Sequence, residues 1–483
     1  MPRATETRAA FRISAPARGL TNPRRRVSHK GMADTRNAAV RAAGNGLERK
    51  LGLFSASNLV IANMIGAGIF TTSGLLLAEL GSPLLMVGLW AAGGVLALCG
   101  ALCYGELGAA MPEAGGEYVY LGELFHPSLG FLTGWVSFIV GFSAPLAASA
   151  IGCGEYIVSA VPALAAGGDT VVLKKGLALL VLAGLTAVHV RGIESGARLQ
   201  NLLTGGKVLL ILALVLAGCA LGRGSMAPLL HPGAAAGGGA GWKSMGLALM
   251  WIMFAYSGWN AAAYVGSEVR DPGRTLPASL LLGTGLVTLL YLALNVLFVY
   301  AIPPGEMEGV VAVGGLAAER LFGAGARAVF SGLIGFALLS SISAMIILGP
   351  RVYYAMARDG YFFRFVAAVH PGSHVPARSI VLQSLLAAAL VLTGSFDQIL
   401  TWMGFCLGIF PVLAVLGVFR LRRSGLGRRR MPGFPAAPLV FAGGSVLMLA
   451  LAWLERPMES TIAVITVISG IPFWFLFDRR RHP

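Results

Sequence analysis

After Lys50 the chain is a succession of apolar runs separated by short polar or Gly- and Pro-containing links. About twelve of these runs approach the ~20 residues that a bilayer crossing demands. They fall at 51–77, 84–110, 131–158, 175–190, 199–221, 244–269, 277–302, 325–350, 380–394, 398–420, 434–454 and 460–477. Inside each run the residues are apolar on all sides, so helical periodicity marks no preferred face. Lipid offers no partner to an open backbone, which leaves only helices or a closed barrel as spanning structures. Barrel strands are shorter and alternate polar with apolar positions. The runs do neither, and the predicted fold is an all-α integral membrane protein of about twelve transmembrane helices.

Composition excludes the soluble alternatives. The 483 residues are 56% hydrophobic and 12% charged, with a mean hydropathy of +0.76. Ordinary soluble domains carry about 25% charged residues, and this chain lacks the polar side chains to cover a soluble surface of its size. The 66 glycines follow no fixed period, which excludes a collagen-like chain. The five cysteines (Cys99, Cys103, Cys153, Cys219 and Cys406) all lie in apolar runs without CxxC spacing. They read as small buried apolar residues, and neither a cofactor nor a metal site is indicated.

A net charge of +16 could suggest nucleic acid, but the arginines sit in short links between apolar runs, which favours the membrane. With the N-terminus in the cytoplasm, 29 of the 37 basic residues fall on that side and seven on the other. The positive-inside rule then puts both termini in the cytoplasm, as an even number of spans requires. Residues 1–47 stand apart. Arg3, Arg8, Arg12, Arg18, Arg24 to Arg26, Lys30, Arg36 and Arg41 punctuate a segment with no apolar core, so it is not a secretory signal. It reads as a solvated, disordered cytoplasmic tail, as a transit peptide, or as sequence upstream of a true start at Met32.

Two spans carry interruptions at matching depth. The first reads Asn63-Met64-Ile65-Gly66-Ala67-Gly68-Ile69-Phe70, and the sixth Phe254-Ala255-Tyr256-Ser257-Gly258-Trp259-Asn260. They are five spans apart, the spacing expected of two inverted five-helix repeats with a binding site at their broken helices. Unwinding a helix at mid-membrane frees N–H and C=O groups that a polar ligand can satisfy. The N-terminal end of a half-helix suits a carboxylate, while free carbonyls suit an ammonium, so a zwitterionic amino acid matches both. The competing reading is helix packing through small residues. Lys207 is the one charge near a span centre, roughly 13 Å past Arg198 at 1.5 Å per residue, and marks either a functional group or a structural lysine held by carbonyls. Glu106, Glu155 and Glu268 fall near span ends and read as interfacial or packing carboxylates.

At these residues the chain resembles the amino acid–polyamine–organocation permeases, closest to the L-type amino acid transporter branch and its bacterial relatives. Three stretches carry the resemblance: Ile65 to Phe70; Tyr104-Gly105-Glu106-Leu107-Gly108 running into Pro112 to Tyr120; and Phe254 to Asn260 with Glu268 and Asp271-Pro272 downstream. The resemblance implies a LeuT-type fold with a five-plus-five inverted repeat and broken helices 1 and 6. It implies a ten-helix transport core over 48–421 and two additional helices over 422–483. It also implies amino acid transport by alternating access. By position, the backbone of Ala67, Gly68 and Ile69 would hold the substrate carboxylate, with Gly66 also counted among the substrate-binding residues. Carbonyls near Met64, Ile65, Phe254 and Ser257 would take the ammonium, with Phe254 as an outer gate and Ala255 counted among the substrate-binding residues. Trp259 with the Phe254 ring would favour an apolar or small polar side chain, Asn260 would brace the break, and Tyr256 is counted among the substrate-binding residues. Lys207 would stand where sodium-coupled relatives bind sodium.

The resulting expectation is sodium-independent transport of neutral L-amino acids, by exchange or proton symport, in a cell membrane such as the bacterial inner membrane. A neutral Ser257 disfavours cationic substrates. Animal L-type relatives join a heavy subunit through a cysteine after span three; Val161 to Val172 has none, so no disulfide-linked partner is expected. The alternative is an amino acid receptor or assembly subunit on the same fold. A membrane enzyme is disfavoured because no HExxH or GxSxG constellation is present.

Overall fold

The computed structural model describes residues 47–161, 163–164, 169–230, 241–310, 313–393, 396–425 and 430–481. The N-terminal tail and its three readings lie outside the described residues, apart from Leu47. Among the described residues the molecule is helical, save for one isolated parallel bridge between Leu51 and Val269. Among the described residues ten helices are long and apolar enough to cross a membrane, and two shorter apolar helices, Trp242–Ala255 and Ala377–Thr393, complete the twelve runs seen in the sequence.

Span five shows how such a helix is oriented. Leu202, Leu209 and Leu216 recur every seventh residue and are 67–70% exposed. On the opposite stripe Gln200, Thr204, Lys207, Ile211 and Leu214 are buried. The polar groups point inward and these three leucines outward, the reverse of a soluble helix and the arrangement lipid requires.

The first span is two helices, Leu53–Met64 and Ala67–Leu80. Ile65 (φ −74°, ψ 87°) and Gly66 (φ −114°, ψ −157°) leave the helical region between them. The sixth span runs from Trp242 to Ala255, turns through Tyr256 to Asn260, and resumes at Ala261–Tyr264. The two broken spans pack on each other. Span three contains a π-helical turn at Ser137–Gly141 between Pro127–Val136 and Ser143–Ala160, a feature often found beside functional sites.

On the face where the chain enters span one, the broken spans are also joined by backbone. Leu51 donates to the Glu268 carbonyl at 2.9 Å and Arg270 donates to the Leu51 carbonyl at 2.8 Å. The eighth span continues to Arg358, past the expected end near 350, so Arg351 is inside a helix rather than in a link. Its guanidinium grips Glu268 bidentately, Nε to Oε1 at 2.8 Å and Nη2 to Oε2 at 3.1 Å. Both side chains are buried. Glu106 is likewise buried and takes Arg422 at 2.7 and 2.6 Å, whereas Glu155 pairs with Lys174 at a half-exposed position.

Candidate functional site: the junction of two broken helices

The glycines of the first break divide between two roles. A Cβ on Gly68 would lie 2.9 Å from both Cα and Cβ of Ala255, so this glycine lets the two broken spans approach. A Cβ on Gly66 would meet nothing closer than Ser341 Oγ at 3.9 Å, so Gly66 borders open space. Gly68 is thus a packing position, while Gly66 is not closely packed. In the second break Gly258 has φ +98°, and a Cβ there would lie 2.3 Å from Asn63 Nδ2. Both conformation and contact require glycine at that position.

Lys207 reaches the first break from span five. Its ammonium is buried and donates to the carbonyls of Ala62 (3.2 Å) and Ile65 (2.5 Å) and to Ser341 Oγ (2.9 Å). Ser341 Oγ in turn donates to the Ile65 carbonyl at 2.6 Å. A lysine has three donors and no acceptor, and all three protons have a partner here. The carbonyl of Ile65, freed from helical bonding by the break, receives two donors.

Tyr291, on the seventh span, connects both breaks. Its hydroxyl stands 2.6 Å from the Met64 carbonyl and 3.0 Å from the Ala255 carbonyl. One proton serves two acceptors in turn. Neither the sequence pattern nor the resemblance singled it out, because a tyrosine in an apolar run reads as core. Tyr256 faces away from the break: its ring packs on Trp90 and Tyr291, and its hydroxyl donates to the Trp90 carbonyl at 3.1 Å. Asn260 donates to Glu117 Oε1 at 2.8 Å and to the Tyr264 hydroxyl at 3.1 Å. Glu117 lies in a connecting helix, Glu117–Leu124, between spans two and three. It also accepts from Tyr104 at 2.6 Å and Thr133 at 3.4 Å. Burial pushes its carboxyl above the usual range, and these hydrogen bonds oppose that shift.

Two cavities meet at the junction. The smaller is walled by Met64, Gly66, Ala67, Gly68, Phe254, Ala255 and Ser257 among the expected site residues. The larger takes Phe254, Ser257, Trp259 and Asn260, and extends to Glu117. Ile65, Ile69, Tyr256 and Lys207 wall neither; Ile65 and Lys207 bond to each other behind the smaller cavity, and Ile69 is core. Among the walls of the smaller cavity no side chain is charged, and its polar side chains are Asn63, Ser149 and Ser257. Asn63 was in view as part of the first motif without a role; its placement against Gly258 depends on how the two breaks dock.

A family profile described as amino acid permease matches residues 51–476. The chain belongs to the amino acid permease family. It is 29% identical over 447 residues to the serine/threonine exchanger SteT of Bacillus subtilis (strain 168), covering 90% of this chain and 98% of that protein. It is 29% identical to the Asc-type amino acid transporter 1 of Mus musculus, covering 89% and 81%. It is 28% identical to the cystine/glutamate transporter of Homo sapiens, covering 89% and 85%. This permease is therefore a multi-pass membrane transporter of amino acids and not an enzyme, with a helical core of the LeuT type.

The permease offers a clean test of backbone contact at its first break. Gly66→Ala adds one methyl to open space and should leave folding intact. If that space receives substrate, the apparent Km should rise at least about tenfold, on the order of 1.4 kcal/mol. Gly68→Val should abolish uptake for a different reason, because its side chain enters the backbone of span six. Unchanged uptake by a well-folded Gly66→Ala permease would remove Gly66 from the substrate site.

Proposed function

We propose that this permease exchanges neutral L-amino acids across a bacterial inner membrane without sodium, with both termini in the cytoplasm. The observation that carries the reading is the fully occupied Lys207 ammonium at the first break. It supplies a fixed positive charge to carbonyls that would otherwise suit a cation, so no sodium ion is needed there. The substrate carboxylate would lie at the N-terminal end of Ala67–Leu80, where free N–H groups and the dipole favour an anion. The ammonium would face carbonyls of the second break. Those of Met64, Ile65 and Ala255 already accept side-chain donors, which shifts the weight to the turn around Ser257.

The absence of a charged side chain among the walls of the smaller cavity supports a neutral substrate. A charged side chain held within that cavity would be desolvated without a counter-charge, at a cost of several kcal/mol. Exchange accords with the exchanger named among the relatives. Without a cysteine in the link after span three, a disulfide-linked heavy subunit is not part of the proposal.

The test is counterflow in liposomes containing the purified permease, with labelled alanine and a panel of competitors. Initial rates should be equal within error in sodium and in choline. Alanine, serine and leucine should compete better than arginine or glutamate. A steep sodium dependence, or arginine as the best competitor, would overturn the proposal.

A further inference from the structure

The two cavities share five wall residues: Asn63, Pro145, Phe254, Ser257 and Met345. These form a waist between the space at the first break and the larger space that runs on to Glu117. A substrate whose headgroup sits at the first break presents its side chain to this waist. Three of the five residues are apolar there, and the polar side chains are Asn63 and Ser257. Asn63 Oδ1 is buried and has no hydrogen-bond partner. Its carboxamide is held against Gly258, whose missing Cβ makes the room it occupies. Orphaned buried acceptors are rare in folded proteins and call for an explanation. One at the wall of a substrate cavity is placed to accept from a donor on the substrate.

We propose that Asn63, with Ser257 beside it, selects side chains bearing a hydroxyl one carbon beyond the α-carbon. The proposal rests on the reading of the permease as a neutral amino acid transporter and deepens it. A serine or threonine hydroxyl is both donor and acceptor, so it can donate to Asn63 Oδ1 and accept from Ser257 or from the Asn63 amide. Alanine and valine fill nearly the same space and leave Oδ1 unpaired. A site built to bond a hydroxyl discriminates against the analogue lacking it more strongly than an apolar pocket discriminates by size.

The experiment uses the full permease in liposomes and two shape-matched competitor pairs, serine against alanine and threonine against valine. The hydroxyl member of each pair should bind about tenfold more tightly in the native protein. In a folded Asn63→Leu the serine/alanine and threonine/valine ratios should both fall to about one, whatever happens to the absolute rates. Ser257→Ala should reduce the ratio without removing it. A native protein that binds alanine as well as serine overturns the proposal, even if Asn63→Leu does not fold. So does a folded Asn63→Leu that retains the tenfold preference, or one that loses serine and alanine equally, since Asn63 would then serve the shared headgroup. If the native protein exchanges no neutral amino acid at all, the transport reading fails first and takes the selectivity with it.

Discussion

Lys207→Met is expected to reduce exchange at least about 100-fold while leaving the permease folded and inserted. Methionine has nearly the volume and shape of lysine, so the substitution keeps the packing of span five against its neighbours. The fold therefore has little reason to fail. The break does. Three hydrogen bonds from a charged donor hold Ala62, Ile65 and Ser341 together, each worth about 1.5–3 kcal/mol in such contacts. Losing them lets the segment around Gly66 leave its single arrangement, and a shift on the order of 3 kcal/mol corresponds to about two decades in rate. The measurement is counterflow alongside thermal unfolding in detergent. Exchange within twofold of native by a folded Lys207→Met protein would reduce Lys207 to a packing residue. An equally large fall in unfolding temperature would show that its role is stability.

How much of this was legible in the sequence depends on whether the signal was local. The twelve spans were, because bilayer thickness sets run length and nothing in the core needs long-range information. Both breaks were, because glycine and polar residues interrupt apolar runs at matching positions. Lys207 stood out as a charge at mid-span, and the structure finds its partners on spans one and eight. Arg351 escaped the same method: hydropathy ended span eight at 350, one residue before it, but the helix continues and buries that charge against Glu268. Tyr256 was attached to the site because it lies in the interrupted segment, yet a turn sends alternate residues to different sides. Tyr291 and Glu117 gave no usable local signal. Each acts through partners more than ten residues away, so only the docked helices reveal them.

The buried Glu268–Arg351 pair carries the other large expectation. Glu268→Gln leaves a guanidinium 1% exposed and without its counter-charge, and breaking such a pair from one side costs about 3–5 kcal/mol. Glu268 follows the second break, and its carbonyl also accepts Leu51 ahead of span one. The single substitution should therefore loosen both broken spans at the face where the chain enters. Folded yield should fall severely and the unfolding temperature should drop with it. Arg351→Met alone should be nearly as damaging, because a buried carboxylate is then unpaired. The double variant Glu268→Gln with Arg351→Met removes both charges, and most of the lost stability should return. That recovery separates a charge-pairing role from simple packing, since packing losses at two sites would accumulate. If Glu268→Gln folds with native stability, the pair does not hold spans six and eight together. If the double variant is less stable than either single one, the pairing account fails in favour of packing. Exchange measured on the recovered double variant then reports whether the clamp also sets the rate: native exchange assigns the pair to stability alone, and slowed exchange assigns it a part in the transport cycle.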